Sequence, residues 1–396
     1  MSEYTPTLPA GPIATRASSI APFHVMELLS RAQALEAQGR DVIHMEVGEP
    51  DFPTPEPIIR AAQDFLARGR VGYTPAAGLP QLREAIAAHY ADDLGVTIDP
   101  ARIIVTAGAS GALLLTLAAL TEAGDEWLLP DPGYPCNPHF VRAFEGVPRA
   151  LPVGPEHNFE PDPQQVARAW QPRTRGLIVA SPANPTGTLV SPATMAALYT
   201  TVRNRGGALI VDEIYQRLVY GEAACTALQL GEEVFVINSF SKYFGMTGWR
   251  LGWVVAPQEY ARAIEKLAQH YFISASTPAQ FAALAAFTSE TRSILEARRL
   301  AFAERRTVLH DGLRSLGFEV PAAPQGAFYV YARVDSFTED SQAFAHQLLD
   351  EAGVACTPGI DFGGADPQHW LRFAYTTDSD RIAIACERIR AVTRRL

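Results

Sequence analysis

Lysine is scarce in this chain. The 396 residues include 33 Lys plus Arg, yet lysine occurs only as Lys242 and Lys266. A sequence that otherwise writes Arg for positive charge has kept a lysine inside Ser239-Phe-Ser-Lys-Tyr-Phe-Gly-Met-Thr-Gly-Trp-Arg-Leu-Gly252. Arginine is always protonated, whereas a lysine amine can be neutral and can condense with a carbonyl. Ser239, Ser241 and Arg250 around it are phosphate-type ligands. Gly245, Gly248 and Gly252 let backbone come close to a bound group. An amine, an anion site and close backbone point together to a phosphorylated aldehyde cofactor, pyridoxal phosphate. Alone, a lysine in a Gly-rich loop reads as a surface residue. Here its neighbours decide otherwise.

Short unbroken apolar runs lie at 103–106, 127–129, 176–180, 208–211, 234–237 and 251–255, separated by helix-length segments. Such runs predict a mostly parallel sheet covered on both faces. Open parallel sheets bind ligands beyond the carboxyl ends of their strands. The first run is followed by Gly108-Ala-Ser-Gly111 at a helix start, an anion cradle of free N–H groups and a hydroxyl. The third is followed by Asn184, the fourth by Asp212 and Tyr215, and the fifth by Ser239 and Lys242. Each feature has a plainer alternative. The glycines could serve packing, Asn184-Pro-Thr-Gly187 is a good turn, and Asp212 could cap a helix. Convergence on neighbouring strand ends is what no single alternative explains.

Outside this region the periodicity predicts helices near 25–38, 56–68, 79–94, 278–287, 290–316, 340–351 and 378–394, with strands at 42–45, 327–331 and 370–375. Residues 46–55 carry three prolines and read as a rigid loop. Residues 1–20 read as an arm without a core of its own. The net charge of -10 and pI near 5.4 argue against a nucleic-acid or anionic-membrane surface. The longest apolar run, 112–120, is too short to span a bilayer, and the N-terminus has no signal-peptide pattern. Cys136, Cys225, Cys356 and Cys386 are widely spaced, so neither a zinc site nor a disulfide framework is indicated. A cytoplasmic protein is expected.

The motifs together are familiar. Gly48-Glu-Pro-Asp-Phe, the Tyr73–Arg83 stretch, Ser181 to Gly187, Asp212-Glu-Ile-Tyr215, Ser239-Phe-Ser-Lys242 with Gly248-Trp-Arg250, Pro324-Gln-Gly-Ala-Phe-Tyr329 and Arg372 make the chain resemble the class I/II aminotransferases, pyridoxal-phosphate enzymes of fold type I. The resemblance spans nearly everything beyond the N-terminal arm. It implies an α/β fold with a mostly parallel seven-stranded sheet covered by helices, and a smaller α+β domain. The expected division is a large cofactor domain over 50–290 and a small domain of 20–49 with 291–396.

The same resemblance implies roles. Lys242 would hold the cofactor as an aldimine and then shuttle a proton. Asp212 would face the pyridine nitrogen, Tyr215 and Asn184 the phenolic oxygen, and Tyr134 a ring face. Ala109, Ser110, Ser239 and Arg250 would bind the phosphate, with Ser241 a further candidate. Tyr73 would reach the phosphate in a second subunit, which implies a homodimer with shared sites. Arg372 would fork onto the substrate α-carboxylate, helped by the Gly48 backbone. In one branch of the family a lysine stands where this chain has Ser110, so a neutral or aromatic amino acid is favoured over strict aspartate. The expected reaction moves an amino group between an L-amino acid and a 2-oxo acid. The alternatives are β-elimination from a sulfur amino acid and a non-catalytic ligand sensor. A nicotinamide dehydrogenase is set aside because its glycine fingerprint is missing. His24 is placed either near the site entrance or simply at a helix start.

Overall fold

A computed structural model describes residues 13–18, 20 and 23–395. The expected N-terminal arm thus lies largely outside the described residues, apart from a single helical turn, Thr15–Ser18.

A short strand, β1 (Ile43–His44), precedes the large sheet. That sheet contains β2 (Ile103–Thr106), β3 (Glu126–Asp131), β4 (Val147–Pro152), β5 (Thr174–Ala180), β6 (Ala208–Asp212), β7 (Phe235–Ser239) and β8 (Gly252–Val255). Their spatial order is β2-β8-β7-β6-β5-β3-β4. Six strands run the same way, and β8 is antiparallel to both its neighbours. The reversal has a local cause. Residues 240–251 hold only a 3-10 turn, Thr247–Trp249, and no helix to carry the chain back over the sheet.

The apolar runs became strands because both faces are covered. All of β2, β7 and β8 is buried. The seventh strand, β4, was not legible as a run. It lies on the sheet edge, contains Pro148 and Pro152, and buries only Leu151. The long apolar stretch near 112–120 is the helix Gly108–Leu120, wedged between β7 and β8 on one side and the helix Gln258–Phe272 on the other. No described helix is long and apolar enough to cross a membrane.

The C-terminal strands are β9 (Tyr329–Arg333), β10 (Val354–Ala355), β11 (Thr357–Pro358) and β12 (Trp370–Ala374). β11, β12 and β9 form an antiparallel sheet, and β10 pairs in parallel with β1. The segment before residue 46 is therefore stitched to the end of the chain. The helix His24–Glu36 packs on β10 and β11, and its first amides, of His24 and Val25, donate to Asp361 at 3.0 and 2.9 Å. A remote carboxylate thus does the work of an N-cap, a contact of about 1 kcal/mol. His24 belongs to this junction, its side chain 3.1 Å from Gln342, and does not line the cavity described below.

The helix Ser289–Ser315 packs against both the last helix, Ser379–Thr393, and the early helix Glu56–Ala67. From it the buried Arg305 forks onto Asp51 at 2.7 and 3.0 Å and reaches Asp378 at 3.2 Å. The proline-rich loop after Gly48 is anchored there.

Candidate active site

The anion cradle forms where three chain turns meet. After β2 the backbone enters the left-handed region at Gly108 (φ 72°) and starts the helix Gly108–Leu120. Its first amides have no intrahelical acceptor and carry the positive end of the helix dipole. Thr106 Oγ1 donates to Gly108 O at 2.8 Å and fixes the turn. Across it stands Arg250, held at φ 52°, which is costly for a residue with a side chain. Its guanidinium lies where a Cβ on Gly108 would sit, 2.8 Å from Nη2. Ser239 and Ser241 face each other with hydroxyls 2.9 Å apart at the end of β7.

Gly252 is the glycine that close approach requires. A Cβ there would lie 2.7 Å from both Asn238 O and Gly108 C. Gly248 borders open space, and Gly245 serves a left-handed turn at φ 65° beside Arg298 and Pro55. Of the three, Gly252 alone is pressed between main-chain atoms of neighbouring turns.

Lys242 is partly buried, and its Nζ donates to Gly48 O at 2.5 Å. Burial pushes its amine down to about 8; Arg372 and Arg250 act in the same direction, against Glu49 and Asp212. Asp212 ends β6 and is itself buried. Its Oδ1 accepts from Ile214 N at 3.1 Å, a local turn contact, and no helix follows for it to cap. Burial raises its carboxyl to about 6, opposed by that hydrogen bond and by Lys242.

Arg372 lies in the middle of β12 and is 5% exposed. Nη1 donates to Asn184 Oδ1 at 2.9 Å, and Nη2 to Glu46 O at 2.5 Å and Thr357 Oγ1 at 3.2 Å. Its Nε has no partner. The guanidinium carbon lies 4.4 Å from the Tyr329 ring centroid and 4.7 Å from that of Phe362. All its partners are neutral, which is not how an arginine buried for an internal ion pair is held.

Tyr215 Oη lies 2.8 Å from Tyr329 Oη. Gly48, Tyr134, Asn184, Asp212, Tyr215, Lys242 and Arg372 all line one cavity of about 200 Å³, together with Ala180, Ile214 and Tyr329. Ala109, Ser110, Ser239, Ser241 and Arg250 lie on the three turns described above, beside the strand end that carries Lys242. Tyr73 stands apart, 86% exposed on a surface loop.

Four contributors, Tyr329, Phe362, Glu46 and Thr357, had no role in the sequence reading. Tyr329 sat in a quoted motif without a task. Phe362 and Glu46 gave no signal, because Phe362 acts through packing and Glu46 through its backbone oxygen.

The family model for aminotransferase class I and II matches residues 40–389. The chain is 40% identical over 379 residues to valine–pyruvate aminotransferase of Mycobacterium tuberculosis, covering 95% of this chain and 97% of that protein. It is 36% identical over 383 residues to aspartate/prephenate aminotransferase of Thermus thermophilus, covering 96% and 98%. A crystal structure of an aminotransferase from Mycobacterium tuberculosis superposes with a TM-score of 0.94 at 38% identity, over 98% of this chain and 100% of that one. Aspartate aminotransferase from Thermus thermophilus with maleate gives 0.91 at 35% identity, over 96% and 100%. Agreement over nearly the whole length, in sequence and in fold alike, makes this chain a member of the class I and II aminotransferases, a family of pyridoxal-phosphate enzymes.

Proposed function

We propose that the protein transfers an amino group between an L-amino acid with a neutral or aromatic side chain and a 2-oxo acid, with pyridoxal phosphate held at this cavity. One observation carries the reading: a partly buried lysine, its amine of lowered basicity, shares a small cavity with a buried arginine whose partners are all neutral.

The residues fit the cofactor. The Gly108 turn beneath the Arg250 guanidinium is a cradle that any side chain at 108 would fill. Phosphate would be held there by the amides of Ala109 and Ser110, by Ser239 and Ser241, and by Arg250. Asp212 would face the ring nitrogen, Tyr215 and Asn184 the phenolic oxygen, and Tyr134 a ring face. When bound, pyridoxal phosphate supplies an aldehyde that condenses with amines and an electron-poor ring that accepts the electron pair left as Cα loses its proton.

The chain's own residues do the rest. Lys242 Nζ takes the proton from the substrate Cα and returns it, because its neutral form is accessible near neutral pH. Asp212 is ionised above about pH 6 and favours a protonated ring nitrogen. Arg372 grips the α-carboxylate with two parallel N–H groups. That grip fixes which Cα–H bond faces Lys242.

The wall supports the neutral-substrate choice. Among the described residues, Lys242 and Arg372 are the only basic ones lining the cavity, and both already have tasks. The relative named for valine and pyruvate is 40% identical, against 36% for the aspartate/prephenate relative. We further divide the chain into a large cofactor domain, 50–290, and a small domain, 20–49 with 291–396. Gly48 and Arg372 then sit at the seam, and carboxylate binding would draw the two together and exclude water. Tyr73 of a second copy would complete the phosphate site.

The test is a half-reaction. The cofactor-loaded protein is mixed with L-valine, L-phenylalanine or L-aspartate alone, and its visible band is followed. Bleaching by valine or phenylalanine at concentrations where aspartate is inert, and recovery with pyruvate, is the expected result. Release of a thiol and a 2-oxo acid from a sulfur amino acid, with no bleaching by the others, would replace transfer by elimination.

A further inference from the structure

The roles above leave Tyr329 unused. It starts β9 and is buried, yet it meets three of the proposed site groups. Its hydroxyl is 2.8 Å from that of Tyr215. Its ring lies 4.4 Å from the Arg372 guanidinium carbon, within cation–π range. A Cβ on residue 48 would lie 2.1 Å from the same hydroxyl, so Gly48 is the residue that admits the phenol.

A phenol has one proton to give and two lone pairs to receive. In the O–H···O contact between Tyr215 and Tyr329, one of the two must be the donor. Among the described hydrogen bonds the Tyr329 hydroxyl has Tyr215 as its only partner. Both tyrosines line the cavity, their rings edge to face at 82°. If Tyr215 gave its proton to Tyr329, it would turn a lone pair toward the cofactor's phenolic oxygen, and two acceptors would meet.

We infer that Tyr329 is a positioning residue, whose hydroxyl donates to Tyr215 Oη so that the Tyr215 proton points into the cavity, and whose ring supports the Arg372 guanidinium. The inference rests on the roles proposed for Tyr215 and Arg372. Accepting that bond also makes Tyr215 a stronger donor. One side chain thereby sets both the cofactor-facing proton and the carboxylate fork.

The test uses the cofactor-loaded protein with Tyr329→Phe, Tyr329→Leu, Tyr215→Phe and the double variant Tyr215→Phe/Tyr329→Phe. Two quantities are read: the pH midpoint of the visible absorption change, and the dissociation constant of isovalerate, a plain monocarboxylate. A hydrogen bond to the phenolic oxygen favours its anionic form, so losing that bond raises the midpoint. Tyr215→Phe should raise it clearly, and Tyr329→Phe by roughly half a unit. The double variant should sit at the Tyr215→Phe value, because the outer bond acts only through the inner one. Isovalerate binding should stay within about twofold of wild type in Tyr329→Phe, which keeps the ring, and weaken about three- to fivefold in Tyr329→Leu.

A wild-type midpoint in Tyr329→Phe, or additive shifts in the double variant, would overturn the hydroxyl's role. Unchanged isovalerate binding in Tyr329→Leu would overturn the ring's role. An unmoved midpoint in Tyr215→Phe would remove the Tyr215 assignment itself, and the inference with it.

Discussion

At the scale of single residues, burial does most of the chemical tuning. Lys242 and Asp212 share a cavity, and in each case loss of water is the largest cause of the shift. The two effects run in useful directions. The amine is pushed down to about 8 and the carboxyl up to about 6, so at pH 7 the carboxylate is ionised and the amine loses its proton readily. The sign gives a prediction. Below about pH 8 the Lys242 amine is protonated and cannot attack a carbonyl; above it the amine is free. Capture of pyridoxal phosphate by the apoprotein, followed by absorbance, should therefore accelerate with pH and level off above about 8, and Lys242→Ala should abolish it. A rate still climbing at pH 10 would mark an ordinary exposed lysine. The same shift acts on stability: between about 8 and 10.5 the unfolded lysine binds a proton that the folded one does not, so this group makes the apoprotein more stable as pH rises through that window.

At the scale of elements, the proposed phosphate cradle is a matter of how closely three backbones can pass. The end of β7, the start of β8 and the turn after β2 meet at Gly252, where a methyl group would press on Asn238 O, Gly108 C and Ala109 N at 2.7, 2.7 and 2.8 Å. All three are main-chain atoms, which cannot swing aside as a flexible side chain can. Gly252→Ala should cost about 1–3 kcal/mol in stability, as overpacking does. It should also weaken pyridoxal phosphate at least tenfold while affecting unphosphorylated pyridoxal much less, since the displaced atoms belong to the phosphate end. Equal losses for the two ligands in calorimetry would show that the cradle does not hold phosphate.

At the scale of the whole molecule, one surface asks for a partner. Val71, Tyr73, Tyr271 and Ile273 are each at least half exposed, and Phe272 is 38% exposed. They lie on the loop around 71–73 and at the end of the helix Gln258–Phe272, and Thr277 Oγ1 beyond that helix donates to Gly72 O at 2.7 Å. Ile273 is held at φ 66°, a conformation a β-branched residue rarely accepts. Apolar surface of this kind normally marks an interface. A second copy seated there is the dimer proposed above, in which its Tyr73 completes the first copy's phosphate site. Light scattering should then give twice the 43.0 kDa chain mass. Lys242→Ala and Tyr73→Ala variants, each impaired alone, should recover up to about a quarter of wild-type activity when unfolded and refolded together, because half of randomly formed dimers carry one intact site. A monomer, or no recovery on mixing, would show that each chain works alone.

Local chemistry determined much of this protein in advance. The buried strands were legible as unbroken apolar runs because both faces of a covered sheet exclude water, and the residues beyond their carboxyl ends could be named because strand direction fixes where those ends lie. The lone site lysine was legible because the rest of the chain avoids lysine. What only the tertiary structure decided depends on contacts distant in sequence. The edge strand β4 has one buried residue and no apolar run to announce it. The anchoring of His24–Glu36 by Asp361 joins opposite ends of the chain. The use of Glu46 through its carbonyl oxygen leaves no trace in side-chain chemistry. Which of three nearby glycines is needed for close approach was decided by where β7, β8 and the Gly108 turn pass one another, and Tyr329 acquired a task only when folding set it between Tyr215, Gly48 and Arg372. Sequence patterns record what each residue needs from solvent and from its near neighbours; which distant groups then meet is set by packing alone.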